Sequence, residues 1–217
     1  MRRSSISVLA LGVALATATV GGAQATVLFN NTTQPAYGGD AIANNAYASF
    51  STGSQGVELQ SVSFALLATD AGDGKSFHAI LRSDNVDNPG ATISPLGQIL
   101  DSALLGSSLS SPSMITLTEN TPIALAANAR YWIELTPIGA PPFTSAYWLW
   151  TNTNKGVGVK PEYTLNGAPN NFVTANLTAS AVYMMNVSVV PEPGSTALLG
   201  IGAAFLLGLS YMRRRLV

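Results

Sequence analysis

Residues 57–67 read VELQSVSFALL, and residues 180–189 read SAVYMMNVSV. Both alternate apolar and polar residues with a period of two, the spacing of a half-buried β-strand. In the second stretch Ala181, Tyr183, Met185, Val187 and Val189 share one face, with Ser180, Asn186 and Ser188 opposite. The first stretch changes phase. Val57 and Leu59 are in step, and Val62, Phe64 and Leu66 are in step with one another but not with the first pair. One extra residue near Gln60-Ser61 restores the register, as a β-bulge does.

Outward from these two segments the same period recurs. Tyr131, Ile133 and Leu135 face one way, while Arg130, Trp132 and Glu134 face the other; Phe77, Ala79 and Leu81 form a further set. Turn-forming residues separate the runs: residues 70–74 (DAGDG) link two strands, and Asn88-Pro89-Gly90 is expected in a longer loop. Asn120-Thr121-Pro122, Ala140-Pro141-Pro142 and Asn166-Gly167-Ala168-Pro169 are expected to break the chain further on. Short strands at this spacing predict an all-β domain, a β-sandwich of jelly-roll-like form.

The two ends of the chain are of a different kind. Residues 1–25 combine a basic start (Arg2, Arg3), an apolar stretch from Ile6 to Val20, and a small-x-small close at Ala23-Gln24-Ala25. That is the layout of a cleaved secretory signal peptide, with Ala23 and Ala25 defining the cleavage site and Thr26 the first mature residue. At the other end Pro191, Glu192 and Pro193 precede Gly194, and Ser195–Met212 follows as 18 residues without a charge. At 1.5 Å rise per residue this run is just long enough to span a bilayer. Its polar residues sit only at its ends, so it lacks the polar face of a surface helix. Arg213, Arg214 and Arg215 follow at once, which predicts stop-transfer and a topology of N-terminus out, C-terminus in.

A Val-Pro-Glu-Pro motif at 190–193, an apolar helix and an Arg cluster, in that order, resemble the PEP-CTERM sorting signal. The resemblance implies an exosortase-like membrane protease as partner, cleaving at or near Pro191-Glu192-Pro193, and a bacterial host that makes exopolysaccharide. The expected organisation is a signal peptide (1–25), a β-sandwich extracellular domain (26–189) and a sorting tail (190–217) with its transmembrane helix at 195–212. A looser likeness covers most of Val57 to Leu149. Residues 80–84 (ILRSD) leading to Asn88-Pro89-Gly90, then residues 130–135 (RYWIEL), look like the R-type choice-of-anchor domains. Those are β-rich extracellular modules joined to different anchors, with no activity to carry over.

Composition narrows the function classes. Cysteine is absent, which excludes disulfides, thiolate metal sites and a thiol nucleophile. Thr26 to Val190 holds five basic and ten acidic residues, a net charge of five minus ten, or −5, which the terminal arginines mask in the whole-chain value of −1. A mildly acidic, lysine-poor domain argues against nucleic acid as a partner. His78 is the lone histidine, and no serine lies in a nucleophile elbow, so no catalytic constellation is expected. Asp70, Asp73, Asp84 and Asp87 flank one strand. Calcium is one reading, but the spacing fails the EF-hand pattern and these are ordinary turn residues, so no metal and no cofactor are assigned. Asn30, Asn31, Asn176 and Asn186 begin Asn-x-Ser/Thr triplets, which arise readily by chance in so Asn- and Thr-rich a chain.

Trp148 and Trp150 lie two residues apart and share a strand face. Two readings stand: a core pair, favoured by tryptophan's burial tendency, or a sugar-stacking platform with Trp132. The sequence therefore points to a non-enzymatic cell-surface or matrix protein, structural or in contact with exopolysaccharide. The alternative is a carbohydrate-binding module. The tail carries the first test. An arginine at a helix centre costs ~2.5–3.5 kcal/mol on insertion, so Leu206→Arg is expected to shift precursor from the membrane to the soluble fraction. Unchanged fractionation of this variant would refute the span.

Overall fold

The computed structural model describes residues 24–43, 45–69, 76–104, 108–138, 146–152, 157–158, 162, 164–168, 171–176 and 182–192. Among them the chain forms thirteen β-strands and one short 3-10 turn at Asp101–Leu104. In chain order the strands are β1 Thr26–Asn30, β2 Gly38–Ala41, β3 Ala46–Ser51, β4 Val57–Ala68, β5 Ser76–Asp84, β6 Pro89–Leu100 and β7 Ser113–Leu125. They continue as β8 Arg130–Ile138, β9 Ala146–Thr151, β10 Thr164–Ala168, β11 Asn171–Asn176, β12 Val182–Tyr183 and β13 Met185–Pro191. No helix among the described residues is long and apolar enough to cross a membrane. The predicted signal peptide through Ala23, the helix at 195–212 and Arg213, Arg214 and Arg215 lie outside the described residues.

Two sheets form. A seven-stranded sheet runs β1-β13-β4-β9-β12, with β2 added to β9 and β7 to β4. A six-stranded sheet runs β11-β10-β3-β8-β5-β6. Their inner faces share one hydrophobic core. Leu59, Val62, Phe64, Trp148 and Val187 come from the first sheet, and Phe50, Phe77, Leu81, Ile133 and Leu135 from the second. Apart from Phe50, these positions belong to the alternating apolar sets of the sequence, because side chains two apart on a strand point the same way.

The phase change in β4 is a bulge at Gln60. On one side Leu59 pairs with Val189 and Ser61 with Ser188, so Gln60 has no partner across from it. On the other side Leu59 pairs with Ile123 and Ser61 with Thr118, and four residues of β7 stand opposite Gln60. Those four, residues 119–122, contain the expected break at Asn120-Thr121-Pro122. It is an interruption of the ladder inside one long strand, not a turn between two. Pro122 has no N–H to give a ladder, which suits an irregular stretch.

The expected longer loop around Asn88-Pro89-Gly90 is a correction of the same sort. Pro89 and Gly90 already belong to β6, and the connection from β5 is a tight hairpin closed by the Asn85 N–H donating to the Asn88 carbonyl at 2.7 Å. Its central residues Val86 and Asp87 have φ of 51° and 63°, the left-handed pair that a twisted two-residue hairpin needs. A β-branched side chain rarely adopts that conformation, and Val86 is also 84% exposed. Residues 70–74 and 140–142 lie outside the described residues; Asn166-Gly167-Ala168 ends β10.

Where β12 passes to β13 the chain is clasped by a buried side chain. The Asn31 amide donates to the Tyr183 carbonyl at 3.0 Å and accepts the Met185 N–H at 2.9 Å. Met184, between them, turns to the outer side and packs with Ala65 and Leu149. Tyr183 and Met185 remain in the core as the alternation predicts. Within the core the Trp148 ring stacks on Tyr183, centroids 4.6 Å apart, with Phe64 edge-on at 5.6 Å. Trp148→Ala is expected to destabilise the domain by about 3–5 kcal/mol, the usual cost of emptying such a site. Urea unfolding of the two proteins measures it, and a loss below about 1 kcal/mol would contradict this packing.

Candidate processing site and polar face

The motif assigned to sorting begins on the sheet itself. β13 lies between β1 and β4, and its last pairs are Val189 with Leu59, Val190 with Glu58, and Pro191 with Val57. Val189 is buried in the core, while Pro191 and Glu192 are exposed. The strand ends at Pro191, a residue with no N–H for a ladder. The Glu192 carboxylate lies over Gly56: a Cβ added there would come 2.9 Å from Oε2. Pro193 lies outside the described residues. At the same pole β1 begins, Thr26 pairing with Val189. Ala25, one of the two residues assigned to signal cleavage, is exposed just before it. Both ends of the domain thus emerge side by side.

The tryptophans do not form a sugar platform. Trp132 and Trp148 are completely buried and Trp150 is half-buried against the core. Trp148 is held by its ring stack and donates its indole N–H to the Met184 carbonyl at 3.1 Å. Trp132 packs under Tyr47 and Leu165 on the outer side of the second sheet, its N–H on Asp84 Oδ1 at 2.7 Å. Gly38 lies so close to Trp150 that a Cβ would meet the ring at 2.5 Å. The core reading holds because each indole finds both an apolar enclosure and a hydrogen-bond acceptor, or a glycine backbone over its ring.

Around Trp132 the outer face of the second sheet carries a polar cluster. Cross-strand register places Tyr47 beside Glu134, and Glu134 beside Ile80. Glu134 is 1% exposed and accepts from Asn45 Nδ2 at 2.6 Å, from the Tyr47 hydroxyl at 3.2 Å and from Arg82 Nε. Burial pushes the Tyr47 phenol up to about 12. One row away Ser49 donates to Glu162, which is 3% exposed, and Arg130 Nε stands 3.7 Å from the same carboxylate oxygen. Burial raises the Glu162 pKa above 4.5, against the opposing effect of Ser49, Ser51 and Arg130.

The sequence placed Arg130, Trp132 and Glu134 on this face but gave no sign of Glu162. Its partner is set by a contact 113 residues away. His78 is exposed on the same sheet. Of the four loop aspartates, Asp70 and Asp73 lie outside the described residues. Asp84 receives Trp132 and the Asp87 N–H, and Asp87 pairs with Arg130. Among the described residues no group of three or more His, Asp or Glu is placed to hold a metal. On the other sheet a cleft of about 510 Å³ opens between Pro35, Leu109 and Met184, lined by apolar, hydroxyl and amide groups.

Residues 189–215 match the family model of the PEP-CTERM protein-sorting motif. The match starts inside β13 and runs through the arginine cluster. No curated protein matches the chain. The motif marks a protein that is secreted, transits the membrane and is sorted and processed by an exosortase system.

The buried Glu162 sets a pH dependence. With its folded pKa raised, the folded state holds this proton more tightly than the unfolded chain. The associated stability is complete below about 4.5 and is lost as pH rises through the raised folded value. Relative to wild type, Glu162→Gln is therefore expected to flatten the fall in melting temperature as pH rises above about 4.5, other carboxylates being common to both. Parallel wild-type and variant curves would refute the assignment.

Proposed function

We propose that this chain is a non-enzymatic cell-surface or extracellular-matrix protein, delivered by signal-peptide export and exosortase-type processing of its tail. The precursor is held in the inner membrane by residues 195–212, with the β domain outside and Arg213, Arg214 and Arg215 in the cytoplasm. The protease cuts at or near Pro191-Glu192-Pro193 and frees the domain for the surface. The observation that carries this reading is the match of residues 189–215 to the sorting motif, continuous with a strand of the folded domain. The likeness of Val57–Leu149 to R-type choice-of-anchor domains, and a jelly-roll-like sandwich, fit an extracellular module. Two buried carboxylates among the described residues fit a non-enzymatic role. Glu134 is held by three donors and Glu162 by Ser49 and Arg130, both nearly solvent-free. A glycosidase pair has to flank its substrate instead.

A role in contact with exopolysaccharide, including the carbohydrate-binding alternative, draws on a different surface from the tryptophans. On the outer side of the first sheet Thr118, Ser61 and Ser188 form one cross-strand row, and Thr116, Ser63 and Asn186 the next. The Ser63 and Thr116 hydroxyls are 2.8 Å apart. Rows about 7 Å apart on strands ~4.8 Å apart give an uncharged grid of hydroxyl groups, suited to neutral sugar hydroxyls, with the Asn186 amide oxygen buried. Mass spectrometry of the mature protein is expected to find its N-terminus at Thr26 and its C-terminus near Pro193. Full-length chain through Val217 recovered only from soluble fractions would overturn the sorting role, and robust polymer hydrolysis by the purified mature protein would overturn the non-enzymatic one.

A further inference from the structure

Sorting proteases are served by accessible, extended segments, yet here the motif is tied to a folded sheet. β1 reaches β13 only as far as Val189, through Thr26. Val190 and Pro191 are therefore held on one side only, by Glu58 and Val57 of β4. Glu192 continues over Gly56, the residue just before β4. Upstream the anchorage is firm: Val187 and Val189 are buried in the core, so β13 cannot slide without emptying it. A protease that binds its substrate as an added strand uses the same backbone groups that pair with β4. It also needs several residues on the amino side of the cut, and those residues are β13.

We propose that the last two rungs of the β13–β4 ladder, Val190–Glu58 and Pro191–Val57, gate the sorting cleavage, with Gly56, Val57 and Glu58 as positioning residues for the motif. This rests on the reading that a protease cuts at or near Pro191-Glu192-Pro193. In the closed state Pro191 pairs with Val57 at the sheet end and the Glu192 side chain lies over Gly56. In the open state Val190 and Pro191 leave β4 while Val189 stays in the core. The end of a strand paired on one side opens at much lower free energy than the core strands. The domain must therefore be folded up to Val189 for the motif to be presented in this register, and must fray by two residues for the motif to be cut.

The chain has no cysteine, so an engineered pair makes a unique cross-link. Glu58 and Val190 are cross-strand partners and both are half-exposed, so a disulfide between them locks the rung without disturbing the core. The test follows processing of the full-length chain in membranes containing the cognate protease, by mass and gel shift. The oxidised Glu58→Cys/Val190→Cys protein is expected to be cleaved at least tenfold more slowly than wild type, and reductant is expected to restore the wild-type rate. A four-residue Gly-Ser spacer between residues 190 and 191 of the cross-linked protein is expected to restore cleavage without reductant, which a merely misfolded variant does not do. If the oxidised protein, with its cross-link verified, is cut at the wild-type rate, the gate is overturned while the sorting reading stands. If wild type itself keeps its chain through Val217, both are overturned.

Discussion

The extra residue in β4 is the constraint on which this domain depends. β4 is a twelve-residue strand that pairs with β7 on one side and with β13 and then β9 on the other. A strict period of two would turn Leu59 to the core and Val62, Phe64 and Leu66 to solvent, or the reverse. Gln60 absorbs one position, so that all four are buried. The cost is local: Gln60 goes unpaired, and residues 119–122 of β7 loop out opposite it. Both strands that accept this irregularity are thereby fixed in register, because any slip would expose core residues on one half of β4.

The same strand organises both ends of the domain. Beyond the bulge it holds the end of β13, and in its other half it holds β9, which carries Trp148 into the core. The change of partner from β13 to β9 leaves Met184 between them. Met184 donates its N–H to Leu149 at 2.8 Å and accepts from Ala65 at 3.1 Å, so it bridges the two neighbours. The Asn31 side chain meets the flanking backbone groups of Tyr183 and Met185. Without those bonds two buried peptide groups would be unsatisfied, each costing about 1–3 kcal/mol. One asparagine thus does for the backbone what an additional strand would otherwise supply.

Much of this was legible in the sequence because it is local. The alternation at Phe77–Leu81, Tyr131–Leu135 and Tyr183–Val189 identified the sides that face the shared core, though not that Trp132 and Glu134 are buried on the opposite side, and the broken phase of Val57–Leu66 located the bulge to within a residue. Turn chemistry was less decisive. Asn88-Pro89-Gly90 reads as a loop, yet the turn is made by Val86 and Asp87, whose conformation their own side chains do not favour. Asn120-Thr121-Pro122 breaks a ladder instead of a strand because β7 continues to pair with β4 on both sides of it. The Trp148 and Trp150 spacing fixed a shared face but not its environment, since enclosure depends on Tyr183, Phe64 and Gly38 from distant strands. Glu162 was invisible for the same reason. Nothing near it announces that Ser49 and Arg130 will meet it.

The register also ties the two ends of the β domain to one another. Thr26 opens β1 beside Val189, and the strand ladder places the β3–β4 loop, the β5–β6 hairpin and the β7–β8 turn at that same pole, through the Ser51–Arg130, Ser83–Tyr131 and Val57–Leu125 pairs. If the tail spans the membrane as proposed, this pole faces the bilayer until the tail is cut. The uncharged grid of Ser61, Ser63, Thr116, Thr118 and Ser188 lies on the outer side of the first sheet. Its neutrality matters there: an interaction made by hydroxyl groups is little affected by ionic strength, whereas one made by exposed charges weakens as salt screens it over about 10 Å.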